Sequence, residues 1–229
     1  VSLSYTPDAA GTQSLTVRVS SLPGQASAAT NTRSATVRIE DRARTAWIVA
    51  GSAFPDVGAL RRTLAANPEW AVSVTVASPQ GTLLTPLPDP DSPPDVLILA
   101  GFPTAQTPQS IVNRLSAWTR TQPLLLFAGP QLDAQRLDAL VGDRLPATLS
   151  RTDAVEARVA PTAQAPRHPV WAGLDTDAAW AQLPPVLAAP RVDPQPDAQV
   201  LAATEQGMPV VHTLQRNRQR SALVTAYRT

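Results

Sequence analysis

The chain contains no cysteine and no lysine, and only 5 Trp, 2 Tyr and 3 Phe supply its aromatics among 229 residues. Lack of cysteine excludes disulfides, thiolate metal sites and a cysteine nucleophile, and leaves the redox compartment undecided. All 19 basic residues are therefore arginine, set against 18 acidic ones for a net charge of +1. We read the arginine-only basic set, beside abundant Ala, Pro, Asp, Val and Thr, as a bias of coding composition. No field of one sign exists to steer nucleic acid or an anionic membrane, so neither is an expected partner. No apolar run approaches a membrane span and no signal peptide opens the chain, so no insertion into a bilayer is expected within it. The first residue, Val1, stands in what reads as the middle of a β pattern, which suggests a piece of a longer protein whose targeting segments lie elsewhere.

What is present is an ordinary core-forming composition, 43% hydrophobic, enough for one sizeable α/β domain with a small additional element. The clearest stretch runs from Pro94 to Pro130. Asp95-Val-Leu-Ile-Leu-Ala100 is a continuous apolar run closed by Gly101, the pattern of a strand buried on both faces. A helix follows, with Thr107 as its expected cap, Pro108 at its first position, and Ile111, Leu115 and Trp118 on one face. Pro123-Leu-Leu-Leu-Phe-Ala128 is then a second buried strand, closed by Gly129-Pro130.

Upstream, Thr45-Ala-Trp-Ile-Val-Ala50 reads as a buried strand ending at Gly51. A helix over Asp56–Ala66 and a strand over Trp70–Ala77 follow it. The proline-dense Thr85–Pro94 segment excludes helix interior and central strand. A third helix is expected after Pro130, with Leu137, Leu140 and Val141 inward and Gly142 as its stop. These strand-helix-strand units predict a doubly wound, mostly parallel sheet of amidotransferase-like or flavodoxin-like type. The remainder is β-rich. Leu145–Ser150, Ala154–Ala160, Gln199–Ala203, Pro209–Leu214 and Ser221–Ala226 are candidate strands, and the last two form a hairpin in which Arg216, Arg218 and Arg220 alternate toward one side. Residues 1–41 carry only β signals, at Val1–Tyr5, Leu15–Ser20 and Ser34–Glu40. They read as a fragment of a β-sandwich joined by the polar Asp41–Arg44 link to a second domain over residues 45–229.

Leu22-Pro-Gly-Gln25, Asn31-Thr-Arg-Ser-Ala-Thr-Val-Arg-Ile39, Trp47-Ile-Val-Ala-Gly51, Ala59-Leu-Arg-Arg-Thr-Leu-Ala65 and His168-Pro-Val-Trp-Ala-Gly-Leu174 together resemble a bacterial domain pair. In it an immunoglobulin-like domain ends and a domain similar to class I glutamine amidotransferases begins. Such pairs occur in large membrane-anchored proteins, often alongside von Willebrand factor A domains. The resemblance implies a cell-envelope location, on the periplasmic side. True amidotransferases place a cysteine on a tight turn after a central strand, where backbone amides hold the oxyanion. Here the corresponding turn, after Leu124-Leu-Leu-Phe127, reads Ala128-Gly129-Pro130-Gln131, and no Gly-x-Ser-x-Gly elbow replaces it. His212 lacks an acid two residues later, so the triad is incomplete and no catalytic residue is assigned.

The crevice where a ligand is expected is the carboxyl edge of the sheet, and its candidates are Gly51, Asp56, Gly101, Gly129 and His168. Neither Gly51-Ser-Ala-Phe-Pro55 nor Gly101-Phe-Pro-Thr104 has the spacing of a dinucleotide fingerprint, so no cofactor is expected. No metal site is expected either, because His168 has no partner at ligand spacing. The preferred expectation is a non-catalytic interaction or scaffold module that binds protein partners. One alternative is a hydrolase using Asp56, Asp175, Asp177 and His168. Another is a carbohydrate-binding module using Trp171 or Trp180.

Overall fold

Strands that are apolar on both faces need cover on both faces, and the middle of this chain meets that need with helices on either side of one sheet. The computed structural model describes residues 5–20, 31–39, 42–171, 180, 182–217 and 219–227. It divides into two compact units, Val1–Ala43 and Arg44–Thr229. In the smaller unit β1 (Gly11–Arg18) pairs antiparallel with β2 (Thr32–Ile39), in register from Gly11↔Ile39 to Arg18↔Thr32. Most of the strand expected at Val1–Tyr5, the Leu22–Gln25 turn, Asp175, Asp177 and Arg218 lie outside the described residues.

The larger unit begins with β3 (Arg44–Ala50), α1 (Pro55–Ala65), β4 (Trp70–Val76), β5 (Val96–Ala100), α2 (Gln109–Thr121), β6 (Leu124–Phe127) and α3 (Ala134–Val141). It continues with β7 (Ala147–Ala157), β8 (Val159–Pro161), β9 (Val186–Pro194), β10 (Gln199–Thr204), β11 (Pro209–Arg216) and β12 (Gln219–Val224). Eight strands form one mixed sheet in the order β4-β3-β5-β6-β12-β11-β10-β8. The first five in that order run parallel, and the last three continue the sheet antiparallel. The C-terminal β-rich part is thus an extension of the doubly wound sheet rather than a separate layer, apart from the β7–β9 ribbon.

Period-two alternation decides which helix each strand residue meets. Ile48, Ala50, Ile98 and Ala100 face α1, where Val57 is buried and Leu60 and Leu64 are partly buried. Val49, Leu97 and Leu99 face the other way, onto Leu115 and Trp118 of α2 and Leu137 and Leu140 of α3. Trp118 is 2% exposed and its indole Nε1 donates to Pro90 O at 3.3 Å, so this one side chain ties the proline-dense loop to α2. Arg114 adds to that tie by donating to the Leu87 and Pro88 carbonyls.

Three local expectations need correction. Pro108, not Thr107, is the N-cap of α2, and it offers no side-chain acceptor. The Thr107 hydroxyl instead accepts from Thr104 N at 2.9 Å, closing the loop before the helix. Leu145–Ser150 and Ala154–Ala160 are not two strands. Their middle is the single strand β7, and the short β8 follows it and joins a different sheet. β9 was not anticipated, because Pro190 and Pro194 read as strand breakers. They are tolerated in a two-stranded ribbon whose register with β7 is itself irregular. The Gly142 stop is as expected: it takes φ 61° at the end of α3.

Candidate functional site

The parallel strands have two ends, and each must be judged for what it exposes. At the carboxyl end, Gly51, Gly101 and Gly129 follow β3, β5 and β6 and meet one another. A Cβ placed on Gly51 would lie 1.9 Å from Gly101 O and 2.9 Å from Thr104 Cγ2. One on Gly129 would lie 2.9 Å from Gly101 Cα and 3.1 Å from Phe54 Cζ. Gly51 and Gly129 are required because backbone approaches backbone, leaving no room for even a methyl group, and Gly101 because its φ is 59°. Hydrogen bonds run across the same edge, from Gly51 N to Ala100 O, Gly101 N to Phe127 O and Ala128 N to Val224 O. Phe54, Phe102 and Thr104 are all buried there.

At the turn after β6, where the sequence resemblance would put a nucleophile, Ala128 and Gly129 are buried, whereas Pro130 and Gln131 are exposed. Ala128 is 2% exposed and packs with Ala188 and Tyr227. Asp56 is half-buried in the first turn of α1 at this end and already has an interaction of its own.

His168 is elsewhere. It follows a short 3-10 turn, Ala165–Arg167, and lines an open groove of about 1020 Å³ bounded by Pro123, Leu124, Arg220 and Ser221. Those residues start β6 and β12, so the groove lies at the amino end of the parallel strands. The five residues read from the sequence as one crevice are therefore divided: Gly51, Asp56, Gly101 and Gly129 stand at the carboxyl end and His168 at the amino end. The reason is topological. The chain re-enters the sheet through antiparallel β8, β10 and β11, which bring the loops after β8 to the opposite edge.

The amino end is organised by a residue that sequence reading passed over. Arg144 is 5% exposed, and its guanidinium donates to the carbonyls of Thr119, Gln122 and Arg220, joining the end of α2 to the start of β12. Burial pulls its pKa down, partly offset by the charge of Asp143. Ser221 Oγ donates back to Arg144 O at 2.6 Å. Gly142-Asp-Arg144 has the look of a surface turn, and nothing in its spacing marks the arginine as interior. Across the sheet, Asp95 accepts from Thr45 N at 2.8 Å and from Thr45 Oγ1 at 2.9 Å, fastening the amino ends of β3 and β5.

The groove's polar groups are well defined. His168 Nδ1 accepts from Val170 N at 3.2 Å, so in the neutral ring the proton sits on Nε2, which lies 3.4 Å from Thr213 Oγ1. Of the arginines expected to share one side of the hairpin, Arg220 lines the groove, while Arg216 donates to Asp143 O and pairs with Asp197 at 3.3 Å. His212 is fully buried on β11 between Val200 and Leu223, with no hydrogen-bond partner on either ring nitrogen. Burial lowers its pKa to about 4; the Pro209 backbone opposes this shift but falls short of a hydrogen bond to the ring.

Trp171 is 6% exposed and stacks on Trp180 with ring centroids 5.7 Å apart, so its ring is spent inside the fold beside Ala165 and Leu201. Among the described residues no three His, Asp or Glu side chains converge as metal ligands. Nor is any helix among them long and apolar enough to cross a membrane.

No protein-family model matches the chain, and no curated protein matches it. Solved structures do resemble it. The cytoplasmic protein STM3548 of Salmonella typhimurium superposes with a TM-score of 0.55 at 14% identity, covering 80% of this chain and 87% of that one. The cytoplasmic protein STM1381 of Salmonella typhimurium LT2 gives 0.54 at 13% identity, over 95% and 85% of the two chains. A ThuA-like protein from Parabacteroides merdae gives 0.52 at 11% identity, over 80% and 79%. At such identities the likeness speaks of fold alone, and the mixed eight-stranded sheet is compatible with a flavodoxin-like or amidotransferase-like fold.

Proposed function

We propose that this chain is a non-catalytic interaction module of a bacterial cell-envelope protein. It would be an amidotransferase-like α/β domain preceded by strands of an immunoglobulin-like sandwich. One observation carries the non-catalytic part: the nucleophile turn reads Ala128-Gly129-Pro130-Gln131, with Ala128 packed inward and Gly129 in contact with the backbone of Gly101. Fold and site are separable, so the architecture survives the loss of its chemistry. Asp56 and His168, named for a hydrolase, lie at opposite ends of the sheet and do not serve one reacting atom. The envelope location and the sandwich rest on the sequence resemblance. Partners, on this reading, are proteins.

The test is a turnover assay of the full chain with L-glutamine and with p-nitrophenyl acetate. Ammonia and p-nitrophenol should form at the buffer rate. Turnover above it that disappears in Asp56→Asn or His168→Ala would overturn the reading.

A further inference from the structure

We propose that the groove at the amino end of the sheet binds an extended acidic segment of a protein partner. This deepens the interaction-module reading and rests on it. Arg167 and Arg220 both line the groove, and among the described residues neither makes an ion pair or a side-chain hydrogen bond. Asp197, a carboxylate on the same lining, is already matched by Arg216. Two exposed arginines on the lining therefore have no internal counter-charge. Beside them the His168 Nε2–H is directed at Thr213 Oγ1, which leaves the Thr213 hydroxyl proton as a further donor. Such a wall selects carboxylates, which accept from guanidinium groups in a geometry that lysine does not reproduce.

The volume and mixed chemistry of the groove favour a polypeptide over a small anion. About 1020 Å³ of open space is far more than one carboxylate fills. The donors share the lining with apolar ground at Pro123, Pro196 and Val170, the last 56% exposed. An extended segment presents acidic and apolar side chains together. Single-stranded nucleic acid is disfavoured, since no Phe, Tyr or Trp stands among the described residues of the lining.

Arg144 is what makes the groove a fixed surface, since its bonds to Gln122 O and Arg220 O hold the two strand starts that form the groove's floor. Arg220 thus projects from backbone that Arg144 anchors, and Arg167 from a turn closed by its own N–H donating to Gln164 O at 3.2 Å, which limits the ordering cost of binding.

The experiment is fluorescence anisotropy on the full chain with a fluorescein-labelled decapeptide of alternating Glu and Pro, compared with its Gln-Pro counterpart. The acidic probe should bind saturably, and about tenfold more tightly than the Gln probe. Binding should weaken by about tenfold in Arg167→Ala/Arg220→Ala and weaken further as salt rises from about 50 to about 300 mM. Arg61→Ala/Arg62→Ala removes two charges from α1, away from the groove, and should change binding by less than about twofold. Equal affinity for both probes, equal loss in both double variants, or no saturable binding would overturn the proposal. None of these would touch the non-catalytic reading, which fails only if turnover appears.

Discussion

At the carboxyl ends of β3, β5 and β6 three glycines touch backbone to backbone under Phe54, whereas at the amino ends of β6 and β12 a buried guanidinium holds the strands and leaves the surface beyond them open. Open α/β sheets ordinarily do the reverse, placing ligands outside the carboxyl ends. The contrast shows that a glycine after a buried strand has two opposite uses. It lets a ligand approach the backbone, or it lets another backbone take the ligand's place. The neighbouring residues decide which, and here Phe54 and Thr104 decide for closure.

Removing the amino-end clamp should cost most. Arg144→Ala leaves the carbonyls of Thr119, Gln122 and Arg220 without their donor, and we expect a loss of about 4 kcal/mol in urea unfolding. Arg144→Lys should fall between the variant and the parent, because one ammonium does not span three acceptors. At the other end, Gly51→Ala forces a methyl group to within 1.9 Å of Gly101 O. Relief requires moving backbone, and we expect a loss of about 3 kcal/mol in the same assay. A loss below about 0.5 kcal/mol would show that the carboxyl edge is loosely closed.

A smaller effect separates the sheet interior from both ends. The His212 imidazole titrates at about 4 in the folded chain and near 6.5 when unfolded. As pH falls below 6.5 the unfolded chain takes up the proton first, so stability is full above that value and drains away toward 4. We expect a loss of roughly 2.5 kcal/mol by about pH 4.5. His212→Leu should flatten that part of the pH profile, and at pH 7 it should be no less stable, since it removes two unpaired ring nitrogens. Smallest of all, Arg167→Ala and Arg220→Ala should each shift stability by less than about 0.5 kcal/mol, as expected of surface groups without internal partners. Larger shifts would mean that the groove arginines serve the fold.

The strand-helix-strand core was legible because burial on both faces writes itself as continuous apolar runs, as in Val96-Leu-Ile-Leu-Ala100, and because α2 and α3 repeat apolar residues at helical spacing. β9 was not legible, since prolines at 190 and 194 mimic loop composition. The direction of the C-terminal strands was not legible either. Alternation along Pro209–Arg216 gives a strand but not its neighbour, and it is the antiparallel β8-β10-β11 return that carries His168 to the opposite edge. Of the groove, the sequence pointed to His168 and to the alternating hairpin arginines. Arg167 stood beside His168 unremarked, and Arg144 gave no signal, because its role depends on carbonyls from two distant segments, the end of α2 and the start of β12.

The absence of cysteine makes one measurement especially direct: the maleimide labelling rate of single thiols placed at each end, in variants shown by circular dichroism to be folded. Ala163→Cys puts a thiol on the groove lining, and Ala128→Cys puts one at the turn after β6. The account predicts rapid labelling at 163 and labelling slowed by at least about a hundredfold at 128, where the site is 2% exposed and reaction awaits local opening. Equal rates at the two positions would show an accessible carboxyl edge and contradict the division between a closed end and an open one.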